Sequence, residues 1–195
     1  MTNSIRCDIL SKMRKITWEG IWVKAEKIFG FLGVLVIILL AFVIIWNANI
    51  IGVAAGSLEK DAREEQNIAG DWKMAQAVND ELCAMLFYDE ETRDYTYSIY
   101  MKKEGTAYGY FFSQGGSDAY IGEGVRGMVF DDKGIALLSM NEDKVCRIEV
   151  NDNAEKKTIE IDPTKPFVVV IPVNSGEITM YNSLGNVVSL YDTYR

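Results

Sequence analysis

Nineteen residues, Ile28 to Trp46, pass without a charge, a proline or a polar side chain other than the terminal indole. As a helix rising 1.5 Å per residue, such a run covers roughly 28 Å, close to the hydrocarbon thickness of a bilayer. A soluble helix of this length keeps a polar stripe, and this one has none. Two membrane readings remain, a secretory signal that is cut away or an anchor that stays. Val53-Ala54-Ala55 before Gly56 offers the small residues a signal peptidase accepts. Secretory apolar cores, however, run about 7–15 residues, and 27 residues precede this one. Length favours a retained anchor.

Charge sets the direction. Residues 1–27 carry Arg6, Lys12, Arg14, Lys15, Lys24 and Lys27 against Asp8, Glu19 and Glu26, a balance of +3. The chain total is −8 and residues 28–50 are uncharged, so the remainder carries −11. Positive flanks stay in the cytoplasm. The expected localisation is a single-pass membrane protein, amino terminus inside and carboxy-terminal domain outside. Trp18 and Trp22 on one side and Trp46 on the other suit the two interfacial aromatic belts. Trp18 and Trp22 also fit one stripe of a short helix lying on the inner leaflet. An outer charge of −11 argues against a nucleic-acid partner, because phosphate binding needs a basic surface.

Just past the run, Ala48, Gly52 and Gly56 fall four residues apart. On a continuous helix they form a small-residue face open to another helix or a second copy of the chain, and otherwise they mark a turn at the bilayer surface. From Leu58 to Tyr88 the pattern reads as helix. Charges crowd the first turns, and Trp72, Ala75, Val78, Leu82 and Met85 then recur every three or four residues. Ser57 is placed to cap it. From Thr92 the period becomes two. Strands are expected at Tyr95–Met101, Ala107–Ser113, Val125–Phe130, Ile135–Met140, Val145–Val150, Thr158–Ile161, Phe167–Val173, Ile178–Tyr181 and Val187–Tyr191, broken by turn formers such as DDKG, NEDK and NSLGN. Pro172 confines its strand to an edge or a bulge. Ten aromatics between Phe87 and Tyr120 exceed what one buried face holds, so a sheet covered on both faces is expected.

Cys83 and Cys146 lie in the outer part, where they either pair as a disulfide or remain buried thiols. The chain has no histidine, which removes Ser-His-Asp triads, Cys-His dyads and the usual zinc sites. Gly122-Glu123-Gly124-Val125-Arg126-Gly127 spells the dinucleotide pattern, but a strand and not a helix is expected after it. Together with Gly115 and Gly116 these glycines are read as a mobile binding loop. Ser57-Leu58-Glu59-Lys60 lacks the companion elements of penicillin-binding enzymes. Acidic turn residues, Asp131, Asp132, Glu142 and Asp143, read as solvated tips more readily than as catalytic carboxylates. No cofactor, metal or enzymatic activity is expected.

A hydrophobic helix, an amphipathic continuation and an antiparallel sheet follow in that order, and Gly30-Phe31 comes after Lys24 and Lys27. In this plan the chain resembles type IV pilins and pseudopilins, which implies an assembly subunit processed before Phe31. The residues depart from that family: Leu35 stands where it has glutamate, and Leu32-Gly33 where Thr-Leu follows the Phe. The expected fold is thus α+β. It comprises a cytoplasmic basic segment (1–27), a transmembrane helix (28–50), a juxtamembrane amphipathic helix (51–91) and an antiparallel β domain (92–195) forming a sheet, sandwich or small barrel. The expected function is a non-enzymatic binding or assembly subunit of a membrane or envelope complex. A sensor signalling through a cytoplasmic partner is the alternative.

Overall fold

The computed structural model describes residues 31–44 and 51–193, apart from 92, 106–107, 131, 153–154 and 174. The chain divides into two units, Met1–Ile50 and Ile51–Arg195. In the first, residues 31–44 form a helix (α1) whose side chains are all exposed. Among the described residues no helix is long and apolar enough to cross a membrane. Trp18, Trp22, Trp46 and Ala48 lie outside the described residues.

The second unit is built mostly of antiparallel strands. After a single 3-10 turn (Ala55–Ser57) comes α2 (Leu58–Glu65), and then β1 (Lys73–Val78), β2 (Leu82–Tyr88), β3 (Tyr95–Met101) and β4 (Phe111–Gly116), joined in order as a front sheet. A short helix, α3 (Ala119–Glu123), leads into β5 (Val125–Phe130), β6 (Gly134–Ser139), β7 (Val145–Asp152), β8 (Glu155–Glu160), β9 (Phe167–Ile171), β10 (Glu177–Asn182), β11 (Val187–Val188) and β12 (Leu190–Thr193). Strands β12-β5-β6-β9 make a middle sheet, and β11-β10-β7-β8 a back sheet. One pair departs from the antiparallel expectation: β12 runs parallel to β5, with Leu190 opposite Val125.

The period-two alternation of the strands stacks these layers. On the front sheet Leu82, Ala84, Leu86 and Ile99 meet Met128, Ala136, Leu138 and Val168 of the middle sheet. The other face of the middle sheet, Val125, Leu137, Phe167, Val169 and Ile171, meets Val145, Ile148, Val150 and Met180 of the back sheet. The outer face of the front sheet, Cys83, Met85, Phe87 and Tyr100, is covered by Leu58 and Ala62 of α2. The unit is therefore a helix on three sheets. The front sheet is covered on both faces, as its aromatic content demands, and the chain's own helix supplies one cover.

The expected helix over 58–88 is corrected: it ends at Glu65, and residues 73–88 are a hairpin. A continuous apolar run such as LCAMLFY reads equally as a buried helix segment or a strand buried on both faces, and every residue of β2 is buried. Asn79 turns the hairpin, its Oδ1 accepting from the N–H groups of Glu81 and Leu82. The β domain thus begins at Lys73 and not at residue 92. The helix–sheet continuation implied by the pilin resemblance is lost with this helix. Ser57 occupies the N-cap position of α2 without a capping side-chain hydrogen bond. The strand carrying Pro172 stops at Ile171 and is an edge of the middle sheet, as its proline requires.

Residues 51–53 are extended, which breaks the expected small-residue helix face. Ile51 bridges Tyr108 and Val53 bridges Tyr110. The N–H groups of Gly52 and Val53 donate to the carbonyls of Tyr108 and Tyr110 at 2.6 and 2.7 Å, and Tyr110 N–H returns to Val53 at 2.8 Å. Gly52 is small because its own chain passes close: an added Cβ would lie 2.5 Å from the Tyr110 carbonyl. Gly109, at φ +86°, makes the matching approach from the other side. Gly56, in the 3-10 turn, has open space around it.

Of the two alternatives for Cys83 and Cys146, a disulfide or separate thiols, the structure has separate thiols, Cys83 buried and Cys146 partly so. Cys83 points from the front sheet toward α2, where Gln76 Nε2 donates to its sulfur at 3.4 Å, while Cys146 lies on β7 of the back sheet. Stacked sheets lie about 10 Å apart, and a middle sheet between the two cysteines exceeds the roughly 7 Å Cα span a disulfide allows. Burial pushes the Cys83 thiol up, which makes it a poor nucleophile.

α2 is fastened to the sheet by polar contacts as well. Tyr100 donates its hydroxyl to Asp61 Oδ2 at 2.6 Å. Gln66 donates to the Tyr97 carbonyl at 3.0 Å and to the buried Ser98 hydroxyl, and accepts from Thr96 at 2.7 Å. Burial, then the bond to Asp61 and its charge, push the Tyr100 phenol far above its ordinary value of 10.0. The folded chain thus keeps a proton that the unfolded chain releases near that value. This stabilisation is full below pH 10.0 and is lost as the pH rises toward the folded value. Tyr95 and Tyr110 are pushed the same way, by burial first. The urea midpoint is therefore expected to fall between about pH 8 and about pH 11, and Tyr100→Phe to flatten that fall. An unchanged slope in the variant would dismiss Tyr100 as its source.

Candidate functional site

Strand β4 is an edge of the front sheet, and beyond it the layer between the front and middle sheets is left open. The opening is a cleft of about 360 Å³, within the size range of small-molecule sites. Strand alternation sets its walls. Tyr97 and Met101 of β3 and Gln114 of β4 come from the front sheet, and Arg126, Met128 and Phe130 of β5 from the middle one. Even-numbered residues of β5 face this layer, so Arg126 is inserted between two sheets where the pattern otherwise places apolar side chains.

Arg126 is 13% exposed, and its Nε lies 3.1 Å from Asp118 Oδ2. The angle does not make this a hydrogen bond, and Nε is buried without an acceptor among the described residues. Asp118 caps α3 with its other oxygen, which accepts from Tyr120 N–H at 3.0 Å, and its carbonyl accepts from the Tyr95 hydroxyl at 3.0 Å. The guanidinium sits 5.2 Å from the Tyr120 ring centroid, and Tyr120 stacks on Tyr191 at 4.9 Å. Lys133 also lines the cleft. It is 16% exposed, and its Nζ is 3.6 Å from Glu81 and 3.7 Å from Asp132. Two shielded cations, two carboxylates and a floor of Met101, Met128 and Phe130 suit an amphipathic ligand that brings an acceptor to Arg126.

The glycines read as a binding loop are not among the residues that line this cleft, and all but Gly124 lie in strands or helix. Gly115 and Gly116 end β4, Gly122 is in α3, Gly124 follows it, and Gly127 is buried in β5. Three of them are small because neighbours crowd them. An added Cβ would lie 2.5 Å from Gln66 Nε2 at Gly115, 2.7 Å from the Tyr95 hydroxyl at Gly122, and 2.7 Å from the Tyr191 ring at Gly124. The dinucleotide spelling is followed by strand β5, as expected, with the helix on the wrong side of it. Among the acidic turn residues, Asp132 reaches the cleft, Glu142 pairs with Arg93, and Asp131 lies outside the described residues. Among the described residues no three cysteine or carboxylate side chains converge to hold a metal.

Arg126, Asp118, Gln114 and Lys133 were not singled out as site residues by sequence pattern. A lone arginine amid the apolar VRGMVF strand was the one available signal. A wider hollow, about 620 Å³, surrounds Asn141, Lys144 and Lys165. Several of its polar groups are engaged: Arg93 pairs with Glu142, and Lys165 and Thr164 bond Asp162, holding its carboxyl well below the usual carboxylate range. No family model, curated protein or solved structure matches the chain.

Proposed function

We propose that the chain is a membrane-anchored binding and assembly subunit, held by residues 28–50 with its amino terminus inside and its β unit outside. The observation that carries the reading is α1: an uncharged apolar helix with every side chain exposed. Such a surface is covered by lipid or by another apolar body. The basic flank of +3 and the acidic remainder of −11 support the direction. Binding is the activity assigned to the β unit because the cleft offers groups that recognise a ligand, the shielded cations of Arg126 and Lys133 beside an apolar floor. A sensor role is the second reading. It is favoured by the position of Arg126 between two sheets, where an occupant bears on both.

The test is fractionation of cells making the full chain. Recovery in the alkali-resistant membrane pellet is expected, with the β unit digested by protease added outside. Ile37→Lys with Leu40→Asp is expected to release the chain, since each central charge costs about 2.5–3.5 kcal/mol in the bilayer. A wild-type chain found freely soluble would end the proposal.

A further inference from the structure

The strap formed by residues 51–53 is bonded to Tyr108 and Tyr110 of the β3–β4 connection, where Lys102 and Lys103 precede the exposed Glu104. Tyr108 is 82% exposed and its bridge partner Ile51 68% exposed. Lys103 lies 4.1 Å from the Phe111 ring centroid, and Lys102 5.5 Å from that of Tyr110. Phe111 in turn packs against Gly52. An exposed tyrosine, an exposed isoleucine and two lysines whose ammonium groups lie over the rings of Tyr110 and Phe111 share this edge.

We infer that this edge seats the β unit on the lipid headgroup layer, Tyr108 and Ile51 entering the interface and Lys102 and Lys103 meeting headgroup phosphates. The inference rests on the anchor reading and adds an orientation to it. Four observations select lipid over a protein partner. Ile51 is five residues from Trp46, where the apolar run ends, so the chain cannot carry it more than about 17 Å from that residue. The strap's three backbone hydrogen bonds hold Tyr108 and Tyr110 beside Gly52 and Val53, so the edge stays next to Ile51. Aromatic and lysine side chains with an aliphatic neighbour are what the interface accepts. A unit carrying −11 approaches an anionic surface most readily through a basic pair.

The experiment uses the full chain with Cys7 and Cys146 replaced by serine, Cys83 being buried. It is reconstituted into phosphatidylcholine vesicles containing phosphatidylglycerol. A nitroxide is attached at Tyr108→Cys or, as a control, at Leu184→Cys, which is 83% exposed on the β10–β11 turn of the back sheet. Power saturation is expected to show the label at 108 several-fold less accessible to a water-soluble nickel chelate than the label at 184. Adding Lys102→Glu and Lys103→Glu is expected to raise that accessibility. A chain that floats with the vesicles yet shows equal accessibility at both positions overturns the inference and leaves the anchor standing. A chain that does not float overturns the anchor and the inference with it.

Discussion

Phe87→Ala is expected to destabilise the β unit by about 3–5 kcal/mol, the range for truncating a buried phenylalanine. Phe87 is fully buried on β2, in the layer that joins the front sheet to α2. Its ring also carries the Arg63 guanidinium, 4.9 Å from the centroid. Arg63 in turn donates to the carbonyls of Ala69 and Trp72 at 2.9 and 3.0 Å and so fixes the turn from α2 into β1. Removing the ring opens a cavity and loosens that turn together. Phe112, 45% exposed, meets Tyr100 edge-on at 5.5 Å, and Phe112→Ala is expected to cost about 1 kcal/mol. Denaturant titration of both variants checks the contrast. Equal losses would mean that α2 is not packed on β2 as described.

Asn141→Ala is expected to cost about 3 kcal/mol for two separable reasons. Asn141 is buried, and its Nδ2 is shared among the carbonyls of Val145, Asp162 and Lys165 at 3.1–3.2 Å while Oδ1 accepts from Val145 N–H at 2.7 Å. Alanine strands those groups. It must also adopt φ +63°, a conformation that costs a residue bearing Cβ about 1–2 kcal/mol. Asn141→Gly removes the side-chain bonds but relaxes the backbone, so it is expected to be milder than alanine by about 1 kcal/mol. If glycine and alanine prove equal, the left-handed backbone contributes nothing and the hydrogen bonds carry the whole effect.

The strands were legible where large apolar residues alternate in the sequence with smaller or polar ones, even in sheets covered on both faces. Tyr95–Met101 and Val125–Phe130 have the bounds that alternation predicts. Legibility failed where the apolar run is unbroken. In β2 the apolar residues are continuous, alternation vanishes, and leucine, methionine and alanine carry a helical preference that tertiary packing overrides. The small residues Ala48, Gly52 and Gly56 suggested a helix face because spacing does not reveal that the chain returns at Tyr108 to meet Gly52. The cleft was the least legible feature. Its walls come from β3, β4 and β5, and only the stacking of two sheets brings Gln114 toward Arg126. Asn141 was read simply as part of the NEDK turn, since nothing local reports that three distant carbonyls converge on its amide.

The parallel pairing of β12 with β5 has a consequence for biosynthesis. β5 occupies the centre of the stack, yet its neighbour on one side comes from residues 190–193, some sixty positions later. A nascent chain can complete the front sheet early, but the central layer keeps an unpaired flank until almost the last codon of this stretch has been read. During that interval Val125–Phe130 is the stretch most exposed to a chaperone or to mispairing with a neighbouring nascent chain.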